Sequence, residues 1–193
     1  MFIQTEETPN PLTLKFLPGQ DISPGASREF TTAVEAAASP LAASLFEIPG
    51  VARVYFGADF VTVTRTPDDA SDWSRLKAPV LAAIMDHCAS GLSVYAAGGS
   101  DGDYGHDGDV YEGEAAAIVA EIKDLLDTRI RPAVAQDGGD ILFNRFDQDS
   151  GVVFLHMRGA CSGCPSSAAT LRSGVETMLR HYIPEVTRVE QSL

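Results

Sequence analysis

Cysteine is scarce in this sequence, and basic side chains are outnumbered by acidic ones. The 193 residues include three Cys, and 14 Lys and Arg stand against 27 Asp and Glu, so the net charge is −13. An odd number of cysteines does not describe a disulfide framework. The shortage of cations argues against binding to nucleic acid or to an anionic membrane surface, because phosphates must be neutralised by Lys and Arg.

Long apolar runs and targeting patterns are also missing. No apolar run approaches the ~20 residues that are needed to cross a bilayer. The first residues, Met1 to Glu7, contain neither a basic cluster nor the apolar core of a signal peptide. These absences predict a protein of the reducing cytoplasm with no membrane segment.

A glycine-rich acidic segment divides the chain. Residues 96–113 contain six glycines, five acidic residues and no Lys or Arg. Because glycine adds backbone freedom and like charges repel, we predict a flexible linker here. It separates a first domain, residues 1–95, from a second domain, residues 114–193, and each is long enough to fold alone.

The first domain shows mixed helix and strand patterns. Leu12, Leu14 and Phe16 alternate with Thr13 and Lys15, which predicts a half-buried strand with Thr13 and Lys15 on its polar side. Further signals are a helix capped by Ser39 with Pro40 at its first position, a hairpin of strands 51–56 and 60–65, and a helix that ends before Gly91. That last helix carries an apolar stripe of Leu81, Ile84, Met85 and Cys88, where we interpret Cys88 as a buried, inert thiol.

The second domain shows the same mixture in a different order. One helix face is marked by Ile118, Ile122, Leu125, Leu126 and Ile130. Two strands, 141–146 and 151–158, and a weak closing strand, 186–190, are predicted around a later helix whose inward residues are Leu171, Val175, Met178, Leu179 and Tyr182. Asp137 and Asp140 bracket two glycines and are interpreted as turn-forming. The fold class predicted for the whole chain is therefore α+β, with two small α+β domains.

The segment with the clearest chemical content is Gly159-Ala160-Cys161-Ser162-Gly163-Cys164-Pro165. Two cysteines separated by two residues can direct both sulfurs at one metal centre. Pro165 favours a helix start, and the positive end of that helix favours thiolate over thiol. The Gly- and Ser-rich surroundings predict that the pair is exposed, and so accessible to solvent.

Four interpretations compete for this pair. One treats both cysteines as small core residues, but the Gly- and Ser-rich setting argues for exposure instead. A redox dithiol has the same spacing. A structural zinc site needs four ligands, and the sequence has no second C-x-x-C, so His156 and His181 would have to complete it. His156 falls on a predicted strand and is expected to be a partly buried sheet residue. An iron–sulfur centre needs about four thiolates, so two chains would have to share it.

Nearly the whole sequence resembles one family, the Nfu-type iron–sulfur cluster proteins. The second domain is similar to the C-terminal domain of NifU through Arg131-Pro132, Gln136-Asp137-Gly138-Gly139-Asp140-Ile141, the cysteine segment with Ser166-Ser167, Thr170-Leu171 and Gly174-Val175-Glu176. The first domain resembles the N-terminal domain of two-domain Nfu proteins through Thr8-Pro9-Asn10-Pro11, Leu14-Lys15-Phe16, Pro40-Leu41-Ala42 and 56–63.

The resemblance implies a scaffold or carrier rather than an enzyme. On that basis Cys161 and Cys164 would be the ligands of a 4Fe–4S cluster that is bridged between two copies of the chain in a cluster-dependent homodimer. Its partners would be apo iron–sulfur proteins, which receive the cluster, and the upstream assembly machinery that supplies it. A thiol oxidoreductase and a zinc-stabilised interaction module remain the alternatives.

Overall fold

The computed structural model describes residues 2–24, 27–68, 72–96, 110–162 and 165–192, with the side chains of residues 165–167 left aside. The chain divides into two compact units, Met1–Asp103 and Tyr104–Leu193. Each unit combines helices with a sheet, which confirms the predicted α+β class. Within the described ranges, none of the helices is both long enough and apolar enough to span a bilayer.

The first unit is a sheet with helices on one face. Its described elements are β1 Gln4–Glu7, β2 Thr13–Leu17, β3 Arg28–Phe30, α1 Ala33–Ala36, α2 Pro40–Phe46, β4 Val51–Phe56, β5 Val61–Arg65 and α3 Trp73–Ser90. The strands pair antiparallel in the order β1-β2-β5-β4-β3. Alternate strand residues such as Phe16, Val54 and Val63 pack in the core with Leu45 of α2 and Ile84 of α3.

Local signals predicted several of these elements correctly. Ser39 caps α2, since its side chain accepts a hydrogen bond from the backbone N–H of Ala42, and Pro40 takes the first helical position. Helix α3 ends at Gly91, whose φ of 65° lies in the left-handed region that favours glycine. The hairpin between β4 and β5 is also confirmed.

Three side chains in this unit are placed differently from the prediction. Thr13 and Lys15 are buried rather than solvent-facing, because the Thr13 hydroxyl is hydrogen-bonded to that of Thr64 and Lys15 lies 4.7 Å from the centroid of the Phe60 ring. Met85 is 40% exposed. It follows Ile84 directly, and one residue turns an α-helix by about 100°, which carries Met85 off the buried face.

The second unit has a three-stranded sheet. Along the described part of the chain, three helical segments precede the first strand and one helix lies between the second and third strands. Its described elements are α4 Gly113–Leu125, a π-helical turn Leu126–Ile130, α5 Arg131–Gln136, β6 Gly139–Asp147, β7 Val152–Gly159, α6 Pro165–Tyr182 and β8 Arg188–Gln191. β6 pairs antiparallel with β7, and β8 pairs parallel with β7 after the chain has passed through α6.

The core of this unit joins the predicted helix face to the sheet. All five predicted positions of that face, 118, 122, 125, 126 and 130, are buried. Tyr111 also packs on this core, and its hydroxyl accepts a hydrogen bond from the backbone N–H of Phe146. Tyr182 was predicted to face inward but is 42% exposed, because it lies against Arg129, which donates a hydrogen bond to its hydroxyl.

Candidate functional site

Cys161 lies just beyond the end of β7, where that strand meets the beginning of β6. Gly139 and Gly159 are opposite each other in the β6–β7 ladder, and the backbone N–H of Ala160 donates to the carbonyl of Gly138 at 3.1 Å. Ser162 continues the turn, since its backbone N–H and its hydroxyl both donate to the carbonyl of Gly159. The cysteine is therefore held by a strand end rather than by a long loop.

The sulfur of Cys161 rests on Gly139. A Cβ atom built on Gly139 would stand 2.3 Å from the Sγ of Cys161, far inside any real contact distance. The sequence pattern predicts only a turn for the segment Asp137–Asp140, which contains Gly139. Sequence patterns do not reveal this contact, because Gly139 and Cys161 are brought together by strand pairing and not by local periodicity.

The described start of the cysteine loop is buried. Cys161 and Ser162 are each 6% exposed, and Cys161 belongs to the hydrophobic core of the second unit. The expectation of exposure is thus wrong for Cys161. The physical reason is the contact with Gly139. Because this residue has no side chain, a space remains at the end of the sheet, and the sulfur of Cys161 fills it.

An ion pair between a partly exposed guanidinium and a buried carboxylate joins the beginning of β6 to α5. Arg131 donates from Nε to Oδ1 of Asp140 at 2.8 Å and from its terminal nitrogen to Oδ2 at 3.0 Å, and it also binds Asp127. The hydrogen bond with Asp140 is the main reason that the pKa of Arg131 is raised. The side chain of Asp140 is 6% exposed and also accepts from the backbone N–H of Ile141. Asp140 is therefore a strand residue, which corrects its interpretation as turn-forming.

The remaining predicted ligands and rivals have different positions. Cys164 lies outside the described residues, and α6 begins directly after it at Pro165. Cys88 is in the first unit, partly buried against that unit's core, and burial raises the pKa of its thiol. His156 is half-buried on β7, as expected. Among the described residues, no three His, Cys, Asp or Glu side chains come together as a metal-binding group.

The chain is a two-unit α+β protein with two cysteines between a strand and a helix, and sequence comparison identifies its family. The model described as "Scaffold protein Nfu/NifU N terminal" matches residues 3–91, and the model described as "NifU-like domain" matches residues 122–190. The chain belongs to the Nfu family of NifU-like proteins.

Curated relatives match along almost all of the chain. NifU-like protein 4, mitochondrial, from Arabidopsis thaliana is 51% identical over 99% of this chain and 66% of its own length. The human NFU1 iron-sulfur cluster scaffold homolog, mitochondrial, is 47% identical over 99% of this chain and 72% of its own length. A solved NifU-like protein from Saccharomyces cerevisiae aligns with a TM-score of 0.44 and 27% identity over 50% of this chain and 85% of that one.

These relatives overturn the prediction of a cytoplasmic location. The first-named relatives, from plants, human and Drosophila, are all named as mitochondrial proteins. The chain spans about two thirds of the length of the curated relatives it matches. The prediction was drawn from the first residues of the sequence, and a targeting segment is a separate, removable piece that leaves no trace in the folded domains.

Proposed function

We propose that this chain carries an iron–sulfur cluster on Cys161 and Cys164 and passes it to apo-proteins. The observation that carries the proposal is the position of Cys161: it lies just beyond the end of β7, in contact with Gly139 and three residues before Cys164 in the sequence. Membership of a family with curated relatives that are named as iron–sulfur cluster scaffolds supports it. Cysteine thiolates are the usual ligands of such clusters, so the donor atoms fit the cargo.

The cluster is expected to be shared between two chains. One chain contributes two sulfurs from this motif, whereas a 4Fe–4S cluster takes about four thiolates. Two copies would therefore meet with their cysteine loops facing each other, and the cluster would hold the dimer together. The proposed domain limits follow these roles. Residues 1–95 form a domain for recognition or regulation, residues 96–113 link the two domains, and residues 114–193 form the domain that binds the cluster.

Transfer is proposed to occur by ligand exchange. As a thiolate of the acceptor forms a bond to iron, the bond between that iron and Cys161 or Cys164 breaks, so each iron keeps its coordination number. The acceptor thiol loses a proton, the released cysteine gains one, and no electron is transferred. The apo-acceptors and an upstream assembly system are the partners that this exchange requires.

Transfer to an acceptor tests this function directly. The chain is loaded anaerobically with iron and sulfide, desalted, and mixed with an apo-enzyme that needs a 4Fe–4S cluster, and the activity of that enzyme is followed. We expect activity to appear in the presence of a chelator that traps free iron. Failure to activate, together with disulfide reduction by the iron-free chain, would favour an oxidoreductase, and tight stoichiometric zinc would favour the interaction module.

A further inference from the structure

Gly139 and Cys161 are in closer contact than a side chain at position 139 would allow. The position where a Cβ would stand on Gly139 is 2.3 Å from the Cys161 sulfur, 2.9 Å from the carbonyl oxygen of Arg158 and 3.1 Å from the backbone nitrogen of Cys161. Two of these three neighbours are backbone atoms of β7 and the following turn. The Arg158 carbonyl belongs to the β6–β7 ladder and the Cys161 nitrogen to the turn directly after it, so the side-chain sulfur is the neighbour with the most freedom to move.

The absence of a side chain has a different meaning at Gly139 than at Gly174 in the same unit. Gly174 in α6 has no atom within 4 Å of its would-be Cβ, so alanine is tolerated there. Gly139 has no positive φ that would explain glycine by backbone conformation. Close approach of the sulfur, together with the tight backbone neighbours, is therefore the reason for glycine at this position.

We propose that Gly139 is a positioning residue of the cluster site: the space left by its missing Cβ is a seat that holds the Cys161 sulfur in one rotamer. A ligand that is fixed before its cargo arrives loses little conformational freedom on binding. The seat therefore favours loading and slows release. This role rests on the proposed cluster function, but the seat itself is tested without any cluster.

The seat is tested first by a double-mutant cycle in the iron-free protein. The four proteins are the original chain, Gly139→Ala, Cys161→Ala and the double variant, and each is unfolded in urea. Contacts with the Arg158 carbonyl and the Cys161 nitrogen occur in both backgrounds and cancel. We expect Gly139→Ala to lower the urea midpoint clearly when Cys161 is present and much less when Cys161→Ala has removed the sulfur. An equal decrease in both backgrounds contradicts the seat.

The cycle also covers the case in which Gly139→Ala does not fold. If the sulfur is the obstacle, adding Cys161→Ala to Gly139→Ala restores a cooperative unfolding transition. If the double variant is as unfolded as the single one, the backbone contacts are the obstacle and the proposal is wrong. Gly174→Ala is the matched control, and its midpoint should stay equal or rise, because alanine favours a helix interior.

The second measurement follows the thiol itself. In a Cys88→Ser, Cys164→Ser background, iodoacetamide reports on Cys161 alone. An alanine at position 139 displaces the sulfur from its buried seat, so we expect alkylation to be several times faster in Gly139→Ala than in the parent, with Gly174→Ala unchanged. Equal rates in Gly139→Ala and its parent contradict the proposal.

The last measurement links the seat to the cargo. Full-length chains with all three cysteines are loaded anaerobically, and iron release to a chelator is timed. We expect faster release from Gly139→Ala than from the original chain and from Gly174→Ala. Equal release rates from loaded chains refute the positioning role. An original chain that takes up no iron refutes the proposed function instead, while the cycle and the alkylation rates still decide whether the seat exists.

Discussion

The two cysteines among the described residues are both free thiols, but their surroundings differ sharply. Cys161 is at the end of a strand beside a glycine, whereas Cys88 lies partly buried on α3 in the other unit. We expect Cys161→Ser and Cys164→Ser each to abolish iron and sulfide uptake, and Cys88→Ser to leave both at the original level. Iron and acid-labile sulfide are measured per chain after anaerobic loading. Full uptake by Cys161→Ser contradicts the assignment of the ligands.

The ion pair of Arg131 with Asp140 predicts a large stability effect. Arg131→Ala removes two charge-assisted hydrogen bonds from a carboxylate whose side chain is 6% exposed, so we expect a loss of about 3 kcal/mol in the free energy of unfolding. Arg180→Ala is the control, because its pair with Glu176 is 3.9 Å apart on an exposed helix face and is worth less than about 0.5 kcal/mol. Urea unfolding measures the loss in each variant. Equal losses would contradict a special role of the Arg131–Asp140 pair in stability.

His87 predicts a dependence of stability on pH. The residue is buried on α3, its Nε2 has no hydrogen-bond partner among the described residues, and desolvation lowers its pKa. The folded state thus binds this proton less readily than the unfolded chain. The contribution of His87 to stability is fully present above the unfolded pKa of about 6.5 and falls as the pH decreases from there towards the folded pKa.

The test of His87 compares two pH values. Between about pH 7.5 and about pH 5, we expect the urea midpoint of the original chain to fall more than that of His87→Leu, which cannot titrate there. His181→Gln, an exposed change in the other unit, should behave like the original chain. Identical decreases for the original chain and His87→Leu would remove His87 as the cause.

At this scale, sequence reasoning located the cysteine pair but not its support. The spacing of Cys161 and Cys164 and their glycines are local features, which a sequence displays directly. The contact of Gly139 with Cys161 and the pairing of Arg131 with Asp140 depend on how β6 meets β7 and α5. A signal for Asp140 was available, since a carboxylate directly before the apolar run Ile141-Leu142-Phe143 requires a buried partner.

Among the structural elements, α2 depends on a single side chain at its beginning. Ser39 is fully buried, caps the backbone N–H of Ala42 and donates its own proton to the carbonyl of Val94. We expect Ser39→Ala to destabilise the first unit by about 1–2 kcal/mol. Ser44→Ala on the same helix is the control, with less than about 0.5 kcal/mol, because within the described part of the chain Ser44 bonds only to the carbonyl of Leu41 in its own turn. Thermal or urea unfolding that ranks them equally would contradict this role of the cap.

Most elements were predictable because their signals are local. Caps, hairpin turns and apolar periods identified α2, the β4–β5 hairpin and the end of α3. The sequence did not predict the π-helical turn at Leu126–Ile130. Its apolar residues lie on the buried face with either α-helical (i, i+4) or π-helical (i, i+5) hydrogen bonds, so the apolar pattern does not distinguish the two. The alternation of polar and apolar residues predicted an exposed Lys15, but Lys15 is buried. A cation can be buried when an aromatic ring and a carboxylate lie beside it, as Phe60 and Glu6 do here.

Across the whole molecule, two α+β units of different topology belong to one chain of the Nfu family. Composition predicted the two units, and motif resemblance predicted the family. Location was mispredicted, since nothing in the folded domains of a protein records its compartment. The assembly that we propose for the cargo includes a second chain, and that expectation comes from the count of two cysteines in the motif.

The most direct test of the central claim is the mass of the loaded protein, measured by native mass spectrometry under anaerobic conditions. We expect a species of two chains with a single 4Fe–4S cluster, which loses its iron and becomes monomeric when Cys161 is replaced by serine. A loaded species of one chain, or a dimer with no iron while both thiols are intact, would contradict the claim.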